Sequence, residues 1–513
     1  MILITSAKYS LPDFSLEFGE IPPSFLPLGN RRLYEYQINL FKRIGQKIVL
    51  SLPKNFAINN FDSKKLQSLG VEVLFVPEGL SLGESVVYCL NVLCEFDEIL
   101  YIIHGDTFFG ELDLCQDSLH VVEVKDSYNW AFLDANFRIS NENLYRENLI
   151  LAGAYCVANP RLLIKSIVEN AYSFIKGLQS YSQVNPFAII ENTTWLDFGL
   201  ITSYFHSKKV VSTQRTFNKM LIDDSGMGGG YIHKDSQWKN KIDSEKFWFE
   251  NLPRELLIYT PRFFKDANGY KVEYLYNNTL AELFVFGNLP GYTWKRIFES
   301  LKEFLKLLHS FKNDDILLDF DYRAKTLQRL GVFAEQSGVS LEENWKINNI
   351  EYPSLLELVR LLDDHLQGNI DFSIIHGDFC FSNIMYDFRA NAIKTFDPRG
   401  MDFSEKTSLY GDCRYDFAKL LHSVFGLYDF IVAGFFECNF KNNEIVFQIE
   451  KDEKIKKVQD VFIEVFGENM QNYAIMIHLF LSMLPLHSDS RERQMAFIAN
   501  AFRLYEDFFG RKK

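Results

Sequence analysis

The sequence predicts two domains of different class: an α/β domain on a mixed, mostly parallel sheet, then an α+β domain of two lobes. Three observations predict it. Over roughly the first two hundred residues, short β-rich apolar runs alternate with helix-like stretches, the pattern of strands connected by crossover helices. From about residue 213 a glycine-rich turn joins two strand-like segments, and helical periodicity then dominates. Between them in weight stands the run Ile374-Ile375-His376-Gly377-Asp378-Phe379-Cys380-Phe381-Ser382-Asn383, which puts polar, chemically competent residues on a loop at the end of a buried strand. A length of 513 residues suits two or three domains at about 150 residues each.

Met1-Ile2-Leu3-Ile4-Thr5 opens the chain as a strand-like run with neither a charged n-region nor a cleavage site, so a signal peptide is not expected. Lys47–Leu52 and Val71–Val76 are β-rich and flanked by helical stretches. Ile99–His104 is continuously apolar, as a strand buried on both faces must be. Ligands of such sheets gather at the carboxyl ends of strands, where this chain carries His104-Gly105-Asp106-Thr107. Asp106 could hold a metal, and Trp195-Leu196-Asp197-Phe198-Gly199 offers a second carboxylate followed by glycine. Taken singly, strand-end Asp residues are more often turn formers or caps.

Composition narrows the partners. Net charge is −13, from 54 basic and 67 acidic residues, which argues against nucleic acid or an anionic membrane as the main partner. Apolar residues make up 47%, enough for sizeable cores, and the 48 Phe and 25 Tyr are spread so evenly that they read as core filling. Seven cysteines, with no Cys-x-x-Cys pair, suggest a reducing compartment, a cytoplasmic location and no zinc site. The longest apolar run near the end, Tyr473–Leu486, is too short to span a bilayer and contains His478.

In the second domain, Phe217–Asp223 and Tyr231–Lys234 read as strands joined by Asp224-Ser225-Gly226-Met227-Gly228-Gly229-Gly230. Glycines there, Gly228 and Gly229 among them, let backbone close over phosphates; the plain alternative is a flexible hairpin. Glu245 follows Lys234 by eleven residues, in a helix-like run from Lys241 to Glu250. A strand lysine paired with a helix glutamate is the device that holds α- and β-phosphates, so Lys234 is assigned to phosphate and Glu245 to orienting it, with Lys219 as competitor. Glu273–Tyr276 then reads as a hinge strand, Leu280–Leu283 as the start of the larger lobe, and Trp294–Phe311 and Ser354–Leu366 as core helices. Ile384-Met385-Tyr386 and Ile393–Phe396 form a hairpin that returns Asp397 to the His376–Asn383 loop.

An isolated His-Gly-Asp is ordinarily a core histidine beside solvated acids. Asn383 at the fifth position after Asp378, Asp397 after a hairpin, and Gly411-Asp412 with Asp416 point instead to a phosphoryl-transfer centre. Asp378 would take the hydroxyl proton, and Asn383 and Asp397 would hold magnesium beside ATP. Cys380 is read as packing, Asp416 as a helix cap bracing the loop, and His487 and Arg399 as structural residues first and substrate contacts second. No long segment resembling a peptide-docking activation loop follows Asp397, which favours a small-molecule acceptor.

These motifs together resemble two families. His376-Gly377-Asp378…Asn383, Asp397 and Gly411-Asp412…Asp416 look like the aminoglycoside phosphotransferase and choline kinase superfamily, which implies a bilobal protein-kinase-like fold over 213–513, with the small lobe to about 285. Phe25–Gln37, Ser81-Leu82-Gly83-Glu84-Ser85, Asp106, Leu151–Tyr155 and Asp197 resemble the sugar-nucleotide pyrophosphorylases, a nucleotidyltransferase family, over 1–212. That resemblance implies that Asp106 and Asp197 hold magnesium and that the nucleotide is CTP or another NTP. The sequence departs from the pattern where a glycine-rich loop with Arg and Lys should stand: it has Ser6-Ala7-Lys8-Tyr9-Ser10 and Pro22-Pro23-Ser24, so Lys8, Arg31 or Arg32 would have to substitute. The joint implication is a bifunctional kinase and nucleotidyltransferase, of the kind that supplies activated precursors for bacterial surface polysaccharide. Such an enzyme would phosphorylate a sugar, polyol or amino alcohol; a homo-oligomer is compatible with it. The alternatives are a kinase whose first domain only binds nucleotide or sugar, and a non-catalytic scaffold.

Overall fold

A computed structural model describes the chain except for residues 97, 125–131, 134–138, 141–148, 212–217, 224–229, 237, 267–268, 314–315, 367–369, 450–451 and 511–513. The chain separates into two compact units, Met1–Ser212 and Thr213–Lys513.

In the first unit four strands run parallel, in the order Val71–Val76, Ile48–Pro53, Ile2–Thr5 and Leu100–His104. Helices Leu33–Phe41, Asn60–Ser68 and Leu82–Leu93 make the crossovers, which parallel neighbours require. The sheet continues antiparallel through Leu149–Val157, which pairs with both Leu100–His104 and Ser118–Glu123. Leu3, Val49, Ile102, Val86, Leu90, Leu163 and Ile167 are shut off from solvent between sheet and helices. The register Thr5↔His104 brings the ends of these two strands level, so the loops that follow them lie side by side. Gly105 makes this approach feasible: a Cβ there would lie 2.7 Å from Cβ of Ser6.

The second unit begins with an antiparallel sheet in the order Asn218–Asp223, Tyr231–Ser236, Gly269–Glu273, Phe263–Asp266. Helix Lys239–Asn251 is packed on it. The larger, helical part is centred on Met470–Ser482, whose residues Ala474 to Ile477 and Phe480 to Leu481 are fully enclosed by neighbouring helices. Two short hairpin-like pairings carry the loops of interest: Phe372–Ile374 with Tyr410–Asp412, and Ile384–Asp387 with Ala392–Thr395. A four-stranded sheet of Trp345–Ile347, Ile350–Tyr352, Glu437–Lys441 and Glu444–Gln448 is an addition that sequence periodicity did not anticipate. The aromatic richness is indeed core: Trp294 stacks on Phe381 at 5.9 Å and Phe284 meets both rings edge-on. Among the described residues no helix is long and apolar enough to cross a membrane, and all seven cysteines are free.

Candidate active sites

In the second unit, the loop after Ile375 is fixed from below by buried groups. Trp248 Nε1 donates to the Ile375 carbonyl at 2.8 Å. The carboxylate of Asp416, itself fully enclosed, accepts the amides of His376 (2.9 Å) and Gly377 (2.8 Å), and His309 Nε2 lies 3.2 Å from it. Asp416 therefore braces the loop. Burial holds the His376 imidazole below its ordinary pKa, so it is a neutral spacer whose Nδ1 accepts the Asp378 amide at 3.3 Å. Gly377 has φ +75°, and a Cβ on it would meet Cβ of Arg399 at 2.7 Å, so only glycine lets the loop turn here.

That turn presents Asp378, whose side chain is 40% exposed at the cleft. Its two oxygens are held differently. Asn383 Nδ2 donates to Oδ2 at 3.0 Å and to the Asp378 carbonyl at 2.9 Å. Lys419 Nζ, from the helix Arg414–Val424, pairs with Oδ1 at 2.7 Å. Burial alone would raise the Asp378 pKa; the Lys419 ammonium overrides it and holds the carboxyl well below the usual carboxylate range. Lys419 in turn stays charged despite its own burial because Asp378 faces it.

Asp397 arrives by the hairpin that the sequence predicted. Its φ is +58°, an unusual backbone state for a non-glycine residue, and Phe396 N donates to the Asn383 carbonyl at 3.1 Å. Lys234 Nζ lies between two carboxylates, 2.7 Å from Glu245 Oε2 and 2.8 Å from Asp397 Oδ1. Desolvation opposes its charge, but the two acids together keep its pKa above the ordinary lysine value. Tyr270 OH donates to Glu245 Oε2 at 2.7 Å, and Lys241 approaches the other oxygen at 3.7 Å. Gly400, at φ +64°, packs so tightly on the Glu245 helix that a Cβ would be 2.0 Å from the Ser244 carbonyl oxygen. The loop carrying Asp397 and the helix carrying Glu245 are thereby in register. Cys380 is enclosed, its thiol pushed up to about 12 by burial, as a packing residue should be.

In the first unit, Asp106 follows the strand Leu100–His104, and Asp197 ends the strand Trp195–Asp197, whose partner is Thr107–Phe109. Both carboxylates border Gly199: a Cβ there would be 2.9 Å from Asp106 Oδ2 and 3.2 Å from Asp197 Oδ1. Burial raises the Asp106 pKa. Burial and then the Asp106 charge push Asp197 up to about 6. Asp197 Oδ2 is buried with no hydrogen-bond partner. Two acids forced together with an orphaned oxygen suit a divalent cation, so these residues fit a magnesium ion. The same test in the second unit is met by Asn383 and Asp397: Asn383 spends its amide on Asp378, which leaves its carbonyl oxygen for an oxygen-seeking cation. Among the described residues no group of three or more His, Cys, Asp or Glu could by itself hold a metal, so phosphate oxygens would have to complete either site.

The substitutes considered for the missing lysine fare unequally. Arg32 is consumed inside the fold by Asp62 (2.9 Å) and the Phe25 carbonyl (2.9 Å). Arg31 and Lys8 are exposed. Where a phosphate-cradling loop would run, Ser24 N and Oγ both donate to Ser6 Oγ, at 3.0 and 2.8 Å. Gly228 and Gly229 lie outside the described residues, and only the backbone of Lys219 is described, on the strand paired with Tyr231–Ser236. Lys419 was missed by sequence reading, since it lies 41 positions after its partner (419 − 378) and is not part of the motif residues around it.

Residues 235–436 match the model of the phosphotransferase enzyme family APH, a span that begins one residue after Lys234 and takes in Glu245, Asp378, Asn383, Asp397 and Lys419. The second unit thus carries a domain of that family. Solved structures similar to this chain include a Bacillus anthracis protein assigned as a glucose-1-phosphate thymidylyltransferase, at 13% identity and TM-score 0.35, covering 42% of this chain and 96% of that one. A UDP-glucose pyrophosphorylase with UDP-glucose follows, at 14% identity and TM-score 0.33, over 42% and 98% of the two chains. The CTP:phosphocholine cytidylyltransferase of Streptococcus pneumoniae is similar at 15% identity and TM-score 0.32, over 41% and 98%. No curated protein matches the chain.

Proposed function

We propose that the chain is a bifunctional enzyme. Its second unit transfers the γ-phosphoryl group of ATP to a hydroxyl of a small molecule. Its first unit couples the resulting phosphomonoester to CTP or another NTP with release of pyrophosphate, giving an activated precursor for a surface polysaccharide. The observation that carries the kinase reading is two linked groups: Lys234 lies 2.7 Å from Glu245 and 2.8 Å from Asp397, Asn383 lies 3.0 Å from Asp378, and the Phe396 amide, next to Asp397, donates to the Asn383 backbone carbonyl at 3.1 Å.

In this mechanism Lys234, oriented by Glu245 and Tyr270, binds phosphate oxygens of ATP. Asn383 and Asp397 would hold magnesium, which neutralises phosphate charge when bound. The acceptor hydroxyl sits against Asp378. As its oxygen attacks the γ-phosphorus and the bond to the β-phosphate oxygen breaks, the hydroxyl proton passes to Asp378 and ADP leaves. Lys419 keeps Asp378 ionised before the transfer, and Asp416 fixes the loop so that no positioning is lost. In the first unit Asp106 and Asp197 would hold the ion that gathers the triphosphate. The free cysteines fit a cytoplasmic setting, where both nucleotides are found.

A second reading has one specific observation in its favour. The Ser6–Ser24 contact and the locked Arg32 leave the first unit without an evident phosphate cradle, which suits a domain that binds nucleotide or sugar without turnover. The kinase proposal is tested with the full chain, MgATP and a panel of sugars, polyols and amino alcohols. Acceptor-dependent ADP formation should fall by about 10²–10⁴-fold in Asp378→Asn with its melting temperature kept; wild-type turnover in that variant would contradict the proposal.

A further inference from the structure

The Oδ1 side of Asp378 is lined by three cations, of which only Lys419 has a matching acid, Asp378 itself. Lys419 holds Oδ1. Lys325, from the helix Tyr322–Ser337, reaches the Tyr415 hydroxyl at 3.3 Å, and Arg399 reaches the same hydroxyl at 3.3 Å. Lys325 Nζ also stands 3.7 Å from the centre of the Phe403 ring, with the Arg399 guanidinium 5.2 Å from that centre. Lys419 lies 5.9 Å from the Tyr415 ring. Three positive groups are thus gathered on two aromatic rings beside the base.

The acids nearby are spent elsewhere. Asp412 is paired with Arg414 and accepts the Tyr322 hydroxyl. Asp416 is committed to the loop amides. One oxygen of Asp402 accepts from Ser404 and Lys406 and the other from the Asp319 amide. Among the described residues neither Lys325 nor Arg399 forms an ion pair. Burial, then Arg399, Lys419 and Arg329, push the Lys325 pKa well down, and the Asp378 charge offsets this only in part. An anion entering this space would relieve that repulsion, whereas a second ammonium would add to it.

We infer that the acceptor of the kinase site is an anionic hydroxy compound, bearing a carboxylate or phosphate that Lys325 and Arg399 receive while its hydroxyl lies at Asp378. The inference rests on the kinase reading above and narrows it, removing amino alcohols and amino sugars from the acceptor classes. Arg399 donates Nε to the Met401 carbonyl at 3.1 Å and Nη1 to Tyr415, which leaves Nη2 for an oxyanion, and the aromatic rings suit a carbon skeleton. Lys325 and Arg399 act in binding, and Asp378 remains the residue at the reacting oxygen.

The experiment compares acceptors that differ only in charge, using the full chain with MgATP: glucose, glucuronate, glucose 6-phosphate and glucosamine, and the shorter set glycerol, glycerate, glycerol phosphate and ethanolamine. Acceptor-dependent ADP formation and calorimetric binding are read for wild type, Lys325→Met, Arg399→Met and Arg399→Lys. The expected result is at least tenfold higher kcat/KM, or tenfold tighter binding, for an anionic member of a set than for its neutral counterpart. Lys325→Met and Arg399→Met should erase that preference through KM or Kd, with Arg399→Lys recovering part of it and melting temperatures retained. Carboxylate preferred over phosphate, or the reverse, identifies which anion is used. Equal or better use of neutral or cationic members, or no anion binding in any form of the protein, overturns the inference. Failure of wild type to bind MgATP would overturn the kinase reading instead, and the binding arm would still decide the anion site.

Discussion

Lys419 is the residue that most alters the chemistry of Asp378. With it in place the carboxyl titrates below its ordinary range, so Asp378 is ionised on both sides of pH 5 and gives no acidic limb to kcat/KM there. In Lys419→Met the main influence lowering the Asp378 pKa is gone, and desolvation, opposed only by the smaller effects of His376 and Lys241, favours the protonated acid. The acidic limb should then move up in pH, measured as kcat/KM between pH 4.5 and 8, and a profile identical to wild type would remove Lys419 from this role. Asp197 provides the opposite sign. Its folded pKa, about 6, lies above the ordinary carboxylate value, so the metal-free fold loses stability as pH rises from about 4 to 6 and stays lowered above that. Asp197→Asn should therefore stabilise the metal-free protein at pH 7, by about 2–3 kcal/mol for a shift near two units. Added magnesium should raise the melting temperature of wild type more than that of the variant, which keeps only the Asn383 and Asp397 site.

At the scale of elements, two glycine-dependent contacts and one buried acid hold the kinase parts together. Gly400→Ala would force a Cβ into the Ser244 carbonyl and keep a positive φ, at a cost of about 1–3 kcal/mol. Because the contact sets the Glu245 helix against the Asp397 loop, KM for ATP should rise together with the loss in melting temperature. Asp416→Ala would leave the amides of His376 and Gly377 unsatisfied, at about 1–3 kcal/mol each, and should lower kcat more than it raises KM for either substrate. Here sequence and structure can be compared. The strand Tyr231–Ser236 with Lys234, the helix with Glu245 and the Ile384–Thr395 hairpin were legible, because turn residues and apolar periodicity mark local structure. The sheet that joins Trp345–Tyr352 to Glu437–Gln448 was not, since it is made of three- to five-residue strands, two of which pair across 98 positions. Arg399 was visible in the sequence as a structural residue with substrate contact as its second role, but Lys325 and Lys419 were hidden: they join it only because the helices Tyr322–Ser337 and Arg414–Val424 carry them there, and no spacing in the chain encodes that.

At the scale of the whole molecule, the proposed function needs two working sites, one of them an acid pair without the usual glycine loop. Read singly, Asp106 and Asp197 are two strand-end acids that only the family resemblance joins at one magnesium; in the structure both border Gly199 and so face the same space. If both sites work, single variants should separate the activities. Asp378→Asn would lose ADP formation while still releasing pyrophosphate from NTP and a supplied phosphomonoester; Asp106→Asn would do the reverse. The most direct measurement is ³¹P NMR of the full chain with magnesium, ATP, CTP or another NTP, and the acceptor set described above, beside those two variants. Two active sites predict ADP, pyrophosphate and a new diphosphate diester in wild type, with the diester absent from either variant when the acceptor supplied carries no phosphate. ADP and a phosphomonoester without pyrophosphate, under every NTP supplied, would contradict the claim and leave a kinase joined to a binding domain.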